Sequence, residues 1–195
     1  MRFRPPGMNF YSLTEVSGGV EPGVMPAMPE RKERVMEPRI ELTKVAREAY
    51  NAMGRLEAYA RQSGLEPSLL ELVRLRASQI NGCAYCVDMH TKDARAAGET
   101  EQRLYATAVW RETPFFSERE RAALEWTEAV TEIAHGHVPD EVYQSVREHF
   151  SEKELVDLTM AIIAINGWNR LAISFRAVPG SYQPQSKAGG GGSAR

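Results

Sequence analysis

In PSLLELVRLRASQINGCAYCVDMHTKDARAAG, residues 67–98, two helical patterns meet at an Asn-Gly break. Pro67 suits the first turn of a helix, where its missing N–H costs nothing. Leu69, Leu70, Leu72, Val73, Ala77 and Ile80 give that helix a broad apolar face. Asn81-Gly82 is a stop signal. A second helix can begin at once with CAYCVDMHTKDARAA and end at Gly98. Both cysteines of the chain, Cys83 and Cys86, sit just after the break, and His90 follows one turn later.

The same periodicity extends outward in both directions. Ile40, Val45, Ala46, Ala49 and Tyr50 suggest an earlier helix that runs through MGRLEAYARQ to Gly64. Residues 99–110 read as a short helix stopped near Pro114. Ser117 with Glu120, and Ser151 with Glu154, are capping-box patterns, in which each end satisfies a backbone N–H of the other. They open SERERAALEWTEAVTEIA and ELVDLTMAIIAINGWNRLAISF. HGHVPD between them reads as a loop with exposed His135 and His137, and Pro139-Asp140 starts a short helix through Phe150. The last segment is the most apolar and should be a central buried helix or one packed between subunits. No alternating strand pattern competes. The expected fold is all-α, a bundle of seven or eight helices. Trp110, Trp126 and Trp168 are expected in its core or at an interface.

Bulk properties exclude several classes. The chain has 195 residues, 43% hydrophobic and 26% charged, enough for one core. A formal net charge of -2 supplies no field for a nucleic-acid backbone or an anionic membrane. No apolar run is long enough to span a bilayer. MRFRPPGMNF is followed by no secretory h-region. Two cysteines are too few for a disulfide scaffold, which points to a reducing, cytoplasmic setting. No glycine-rich phosphate loop is present, so no nucleotide, flavin or other cofactor is expected. Residues 1–36, broken by prolines and glycines, read as a partly flexible N-terminal arm that could lie over a neighbouring subunit. Residues 37–180 form the helical domain, and residues 181–195 a flexible C-terminal tail.

Three readings of the cysteine pair compete. A structural zinc wants four ligands, and CxxC with His90 offers three, so no metal site is expected. Two cysteines at i and i+3 can also be small buried hydrophobes. The redox reading accounts for more. At a helix start, unpaired N–H groups and the helix dipole stabilise a thiolate. The spacing lets two sulfurs bond, and His90 is placed to take a proton. The dipole argument alone favours Cys83 as the more acidic thiol. Glu71 precedes Cys83 by twelve residues, and two antiparallel helices could fold its carboxylate back toward the thiols. By default it is an exposed helix glutamate, and exposure is likewise expected for Arg74 and Arg76. Asp88 points to another face.

Glu71, Ser78, Asn81, Cys83, Cys86, His90 and Gly98 together resemble the pattern of the carboxymuconolactone decarboxylase superfamily, in its alkylhydroperoxidase AhpD-like branch. The likeness covers residues 37–178. It implies an AhpD-like helical subunit that assembles into homo-trimers or hexamers. It also implies peroxidase activity on a small peroxide by thiol–disulfide cycling, restored by an external dithiol, either a protein or a lipoyl-type carrier. By position, Cys86 would attack the peroxide and Cys83 would resolve it. His90 and Glu71 would form the proton relay, with a water between them. AhpD itself has a histidine between its cysteines where this chain has Tyr85. The decarboxylase branch lacks the redox pair, so both cysteines argue against lactone decarboxylation.

Overall fold

The computed structural model describes residues 36–184. The expected N-terminal arm lies outside this range apart from Met36, as does the tail beyond residue 184. Among the described residues there are nine α-helices, one 3-10 helix and no strand. They are α1 (Leu42–Val45), α2 (Arg47–Arg61), α3 (Pro67–Ile80), α4 (Ala84–Ala96), α5 (Glu101–Ala106), α6 (Glu118–Thr131), α7 (Ile133–Gly136), α8 (Asp140–His149) and α9 (Glu152–Phe175). The 3-10 turn Thr107–Glu112 follows α5.

The punctuation follows local chemistry. Pro67 opens α3. Gly82, at φ +68°, makes the turn out of α3 in the left-handed region that a side chain disfavours. Cys83 is the N-cap of α4, and its sulfur accepts from the Cys86 backbone N–H. Both capping boxes are present, at Ser117 for α6 and at Ser151 for α9.

Four expectations need correction. The helix expected from residue 40 onward is broken at Ala46 (φ −143°), and Val45 is 74% exposed rather than part of a core face. The helix expected over 99–110 ends at Ala106 and tightens into the 3-10 turn. The segment expected as one helix from Ser117 to Ala134 stops at Thr131. Chain direction changes at Glu132, so His135 falls in the short helix α7 instead of a loop.

α3 is the central element, packed against α4, α6 and α9. Its Leu69, Leu70 and Val73 meet Ala123 and Trp126 of α6 and Leu158 and Ile162 of α9. Each large aliphatic chain buried there stabilises the fold by roughly 1.5–3 kcal/mol. Gly167 of α9 lies under the Met53 side chain of α2, whose terminal methyl is 2.7 Å from where a Cβ would sit. Trp110 and Trp126 are buried and Trp168 is half-buried. α9 buries Leu155, Leu158, Ala161, Ile162 and Ile165 but leaves Val156 (57%) and Ile163 (46%) exposed. No helix among the described residues is long and apolar enough to cross a membrane.

Candidate active site

The α3–α4 turn places the cysteines. Cys83 N–H donates to Ser78 O at 2.9 Å, closing the loop behind Gly82. Asn81 Nδ2 is shared among Ala77 O, Asn166 Oδ1 and Asn169 Oδ1, each at 2.9 Å. Asn169 Nδ2 donates to Ser78 Oγ at 3.1 Å. Ser78 and Asn169 are fully buried, so these amides can satisfy one another only if the turn holds this shape. The turn is thereby fastened to α9.

Cys83 and Cys86 are joined by a disulfide, with Cα atoms 5.3 Å apart. They are 1% and 2% exposed, among Ala77 and Ile165, with Tyr85, Trp168 and Ala172 packed over them. His90 lies one turn along α4, also buried. Its Nδ1 is 2.8 Å from Glu71 Oε2. Burial raises the Glu71 pKa, but the His90 hydrogen bond and the charges of His90 and Arg74 outweigh it and hold the carboxyl below its ordinary value. An ionised Glu71 accepts from Nδ1–H, which leaves Nε2 as the ring's lone-pair nitrogen. Nε2 is buried and has no hydrogen-bond partner among the described residues.

All four expected residues, Glu71, Cys83, Cys86 and His90, therefore belong to one α3–α4 unit. The Glu71–His90 contact is direct and needs no bridging water. Glu71 is buried, not the exposed glutamate of the default reading. Arg74 also departs from expectation. It is 2% exposed, with Nη1 2.7 Å from Glu71 Oε1 and Nη2 2.8 Å from Glu57 Oε1. The second contact is an ion pair by distance without hydrogen-bond alignment. The i, i+3 spacing of Glu71 and Arg74 was the available signal. Arg76 is half-buried and pairs with Glu128. Asp88 faces away from the thiols, bonded to Lys92 and to the Gly180 N–H. Tyr182, expected in the tail, donates to Asp93 Oδ1 at 2.7 Å.

Two surface cavities, about 310 and 250 Å³, lie elsewhere. The first is lined by Trp126, Tyr143 and Met160, the second by Glu128, His135 and His137. Neither touches the cysteines. Glu71, His90 and Asp93 offer atoms within 4.8 Å of one another that could reach a common cation. Hydrogen bonds to His90, Arg74 and Tyr182 already use most of those atoms, and the Arg74 guanidinium opposes a second positive charge.

Residues 46–129 match the carboxymuconolactone decarboxylase family. YdfG of Bacillus subtilis, an uncharacterised protein, is 47% identical over 139 residues, covering 71% of this chain and 95% of YdfG. The chain belongs to the carboxymuconolactone decarboxylase family. A crystal structure from Agrobacterium tumefaciens, of a protein of unknown function considered a candidate antioxidant-defence protein AhpD, is 47% identical. It superposes with a TM-score of 0.73 over 75% of this chain and 100% of that one. A peroxidase-related protein with an AhpD core from Ralstonia eutropha shares the fold at 22% identity, with a TM-score of 0.64 over 74% of this chain and 77% of that one. The family match and the 47% identical structure place the chain in the family's AhpD-like branch.

Proposed function

We propose that the protein is a thiol-dependent peroxidase that reduces hydrogen peroxide or an organic hydroperoxide through a Cys83–Cys86 dithiol/disulfide cycle. The observation that carries this reading is the buried His90–Glu71 pair one helical turn from Cys86, with Nε2 free to accept a proton. In the reduced protein, His90 Nε2 takes the Cys86 thiol proton. The thiolate attacks the terminal peroxide oxygen and the O–O bond breaks. Cys86 becomes a sulfenic acid, and the leaving alkoxide or hydroxide takes the proton from His90. Cys83 then attacks the Cys86 sulfur, a disulfide forms, and the expelled hydroxide leaves as water with the Cys83 proton. Two electrons pass from the dithiol to the peroxide. An external dithiol, a protein or a lipoyl-type carrier, returns them by thiol–disulfide exchange. The subunits act as a homo-trimer or hexamer in a reducing cytoplasm.

The near-complete burial of both cysteines favours a second reading, a redox-sensing or purely structural disulfide. Single mutants decide between them. Cys86→Ser should abolish peroxide consumption. Cys83→Ser should permit one oxidation and leave Cys86 as a trappable sulfenic acid or a higher oxide. Stopped-flow oxidation with sulfenic-acid trapping and mass spectrometry reads both. Sulfenic acid forming on Cys83 in Cys86→Ser at the wild-type rate would reverse the roles. Oxidation of neither thiol faster than free cysteine would leave the structural reading.

A further inference from the structure

Asp93 follows His90 by three residues, so the two share a face of α4. Its carboxylate lies with the Glu71 carboxylate and a His90 ring nitrogen in a group of atoms within 4.8 Å of one another. Asp93 Oδ1 accepts the Tyr182 hydroxyl at 2.7 Å. Tyr182 comes from the chain after α9, which folds back along α4. There, Gly180 N–H donates to Asp88 Oδ2 at 3.0 Å, and Lys92 Nζ donates to Tyr182 O at 3.0 Å. The Lys92–Asp88 ion pair, at 3.0 Å, fixes both anchors. α4 thus grips this segment at Asp88, Lys92 and Asp93, along the flank of the helix that carries His90.

We propose that Asp93 and Tyr182 belong to the proton-handling site: Asp93 is a second carboxylate that favours the protonated His90 ring, and Tyr182 holds that carboxylate in place. The use of this arrangement in turnover rests on the peroxidase reading above. The charges around His90 support it. From α3 it meets Glu71, backed by Arg74, which Glu57 of α2 also shares. Arg61 of α2 acts on Glu71 and Tyr182 at longer range. From α4 come Cys86 and Asp93, and α9 presents Ile165, Trp168 and Ala172 beside the cysteines. Arg74 offsets Glu71 and Glu57, whereas Asp93 bonds a neutral phenol that leaves its charge in force. Burial, then the Asp93 hydrogen bond, pushes the Tyr182 phenol up to about 12, so it remains a donor at any working pH. A proton taken from Cys86 is then held on a ring with carboxylate atoms of both Glu71 and Asp93 within 4.8 Å, which lowers the free energy of the charged state. Both are positioning residues, since neither touches the reacting sulfur.

The test reads His90 directly, by NMR titration of histidine ring signals in the oxidised protein. With the disulfide intact the cysteines do not titrate. The His90 signal is assigned by its loss in His90→Asn. Asp93→Asn should lower the His90 midpoint, because a nearby anion favours the protonated ring. Asp93→Glu should restore most of that shift. Tyr182→Phe should lower the midpoint less, as the released carboxylate turns toward water. An unmoved midpoint in folded Asp93→Asn overturns the proposal. A midpoint unmoved or raised in Tyr182→Phe overturns the part given to Tyr182, and overturns the whole if Asp93→Asn does not fold. Peroxide turnover of the same proteins separates the two claims. A wild-type protein that consumes no peroxide, with the titration shift present, sinks the peroxidase reading alone. An active wild-type protein with no shift sinks this inference alone.

Discussion

Glu71 and His90, nineteen residues apart on two different helices, meet through a 2.8 Å hydrogen bond. The contact orients the imidazole and selects its tautomer. It also gives Glu71 a titration that differs between the folded and unfolded chain, and that difference is measurable as stability.

Glu71 is held below its ordinary value in the fold. A depressed carboxyl contributes stability that is fully present above its unfolded pKa, near 4.5, and is lost as pH falls through its folded pKa. Glu71→Gln keeps an acceptor for Nδ1–H but loses the charge. It should be less stable than the wild type at pH 7, and the gap should narrow below about pH 4.5. Urea unfolding at pH 7 and pH 3 checks this. Thiol oxidation by peroxide should also slow, by about 10²-fold or less.

Arg74 is the largest of the fully buried side chains and is shared between Glu57 and Glu71. Among the described residues, removing it takes the only guanidinium from buried Glu71, which keeps His90, and one of the two ion pairs from Glu57, which keeps Arg61. Arg74→Met should cost about 3–5 kcal/mol, seen as a lower denaturation midpoint. Arg74→Lys should recover only part, because an ammonium cannot bridge two carboxylates with a planar fork. A wild-type midpoint in Arg74→Met would mean that the ion pairs contribute nothing net.

Much of this was legible in the sequence, for local reasons. Pro67, Asn81-Gly82 and the two Ser-x-x-Glu boxes act within one helical turn, and they mark their helix ends as expected. The four candidate residues fall within twenty positions, so folding one hairpin of helices assembles them. What stayed hidden depends on distant partners. Arg74 reads as exposed until α2 supplies Glu57. Asn169 reads as one more polar residue on α9 until Ser78 and Asn81 meet it. Tyr182 lies beyond the last helical pattern, and no local rule places its hydroxyl against Asp93. Ile40, Val45 and Tyr50 have a helical period, yet the described chain leaves them exposed.

Glu154 gives a second test of pH dependence, away from the site. The Ser151 backbone N–H and hydroxyl, with Arg119, hold its pKa at about 2 against an ordinary 4.5. The same sign applies: its contribution is complete above pH 4.5 and disappears toward pH 2. Ser151→Ala removes the cap for the helix that forms much of the core and should cost about 1 kcal/mol in chemical denaturation at pH 7. Glu154→Gln should flatten the acid limb of the stability curve. An acid limb unchanged in Glu154→Gln would assign that limb to other carboxyls.

The exposed side of α9 bears on assembly. Val156, Met160 and Ile163 are spaced by four and three residues, so they form one stripe along the helix. Val156 and Ile163 are exposed and Met160 is only half-buried, although the opposite face of the same helix is core. Apolar area left in water forgoes about 25 cal/mol per Å², and this stripe would recover that on burial against another subunit. The expected outcome is a homo-oligomer of three or six copies at micromolar concentration by sedimentation. Ile163→Asp places a charge at the end of the stripe, at a side chain that is 46% exposed. It should therefore lower the sedimenting mass toward that of one chain, with helical circular dichroism retained. A wild-type protein that sediments as a monomer would end the assembly proposal. Unchanged mass in Ile163→Asp would move the contact to another face of the subunit.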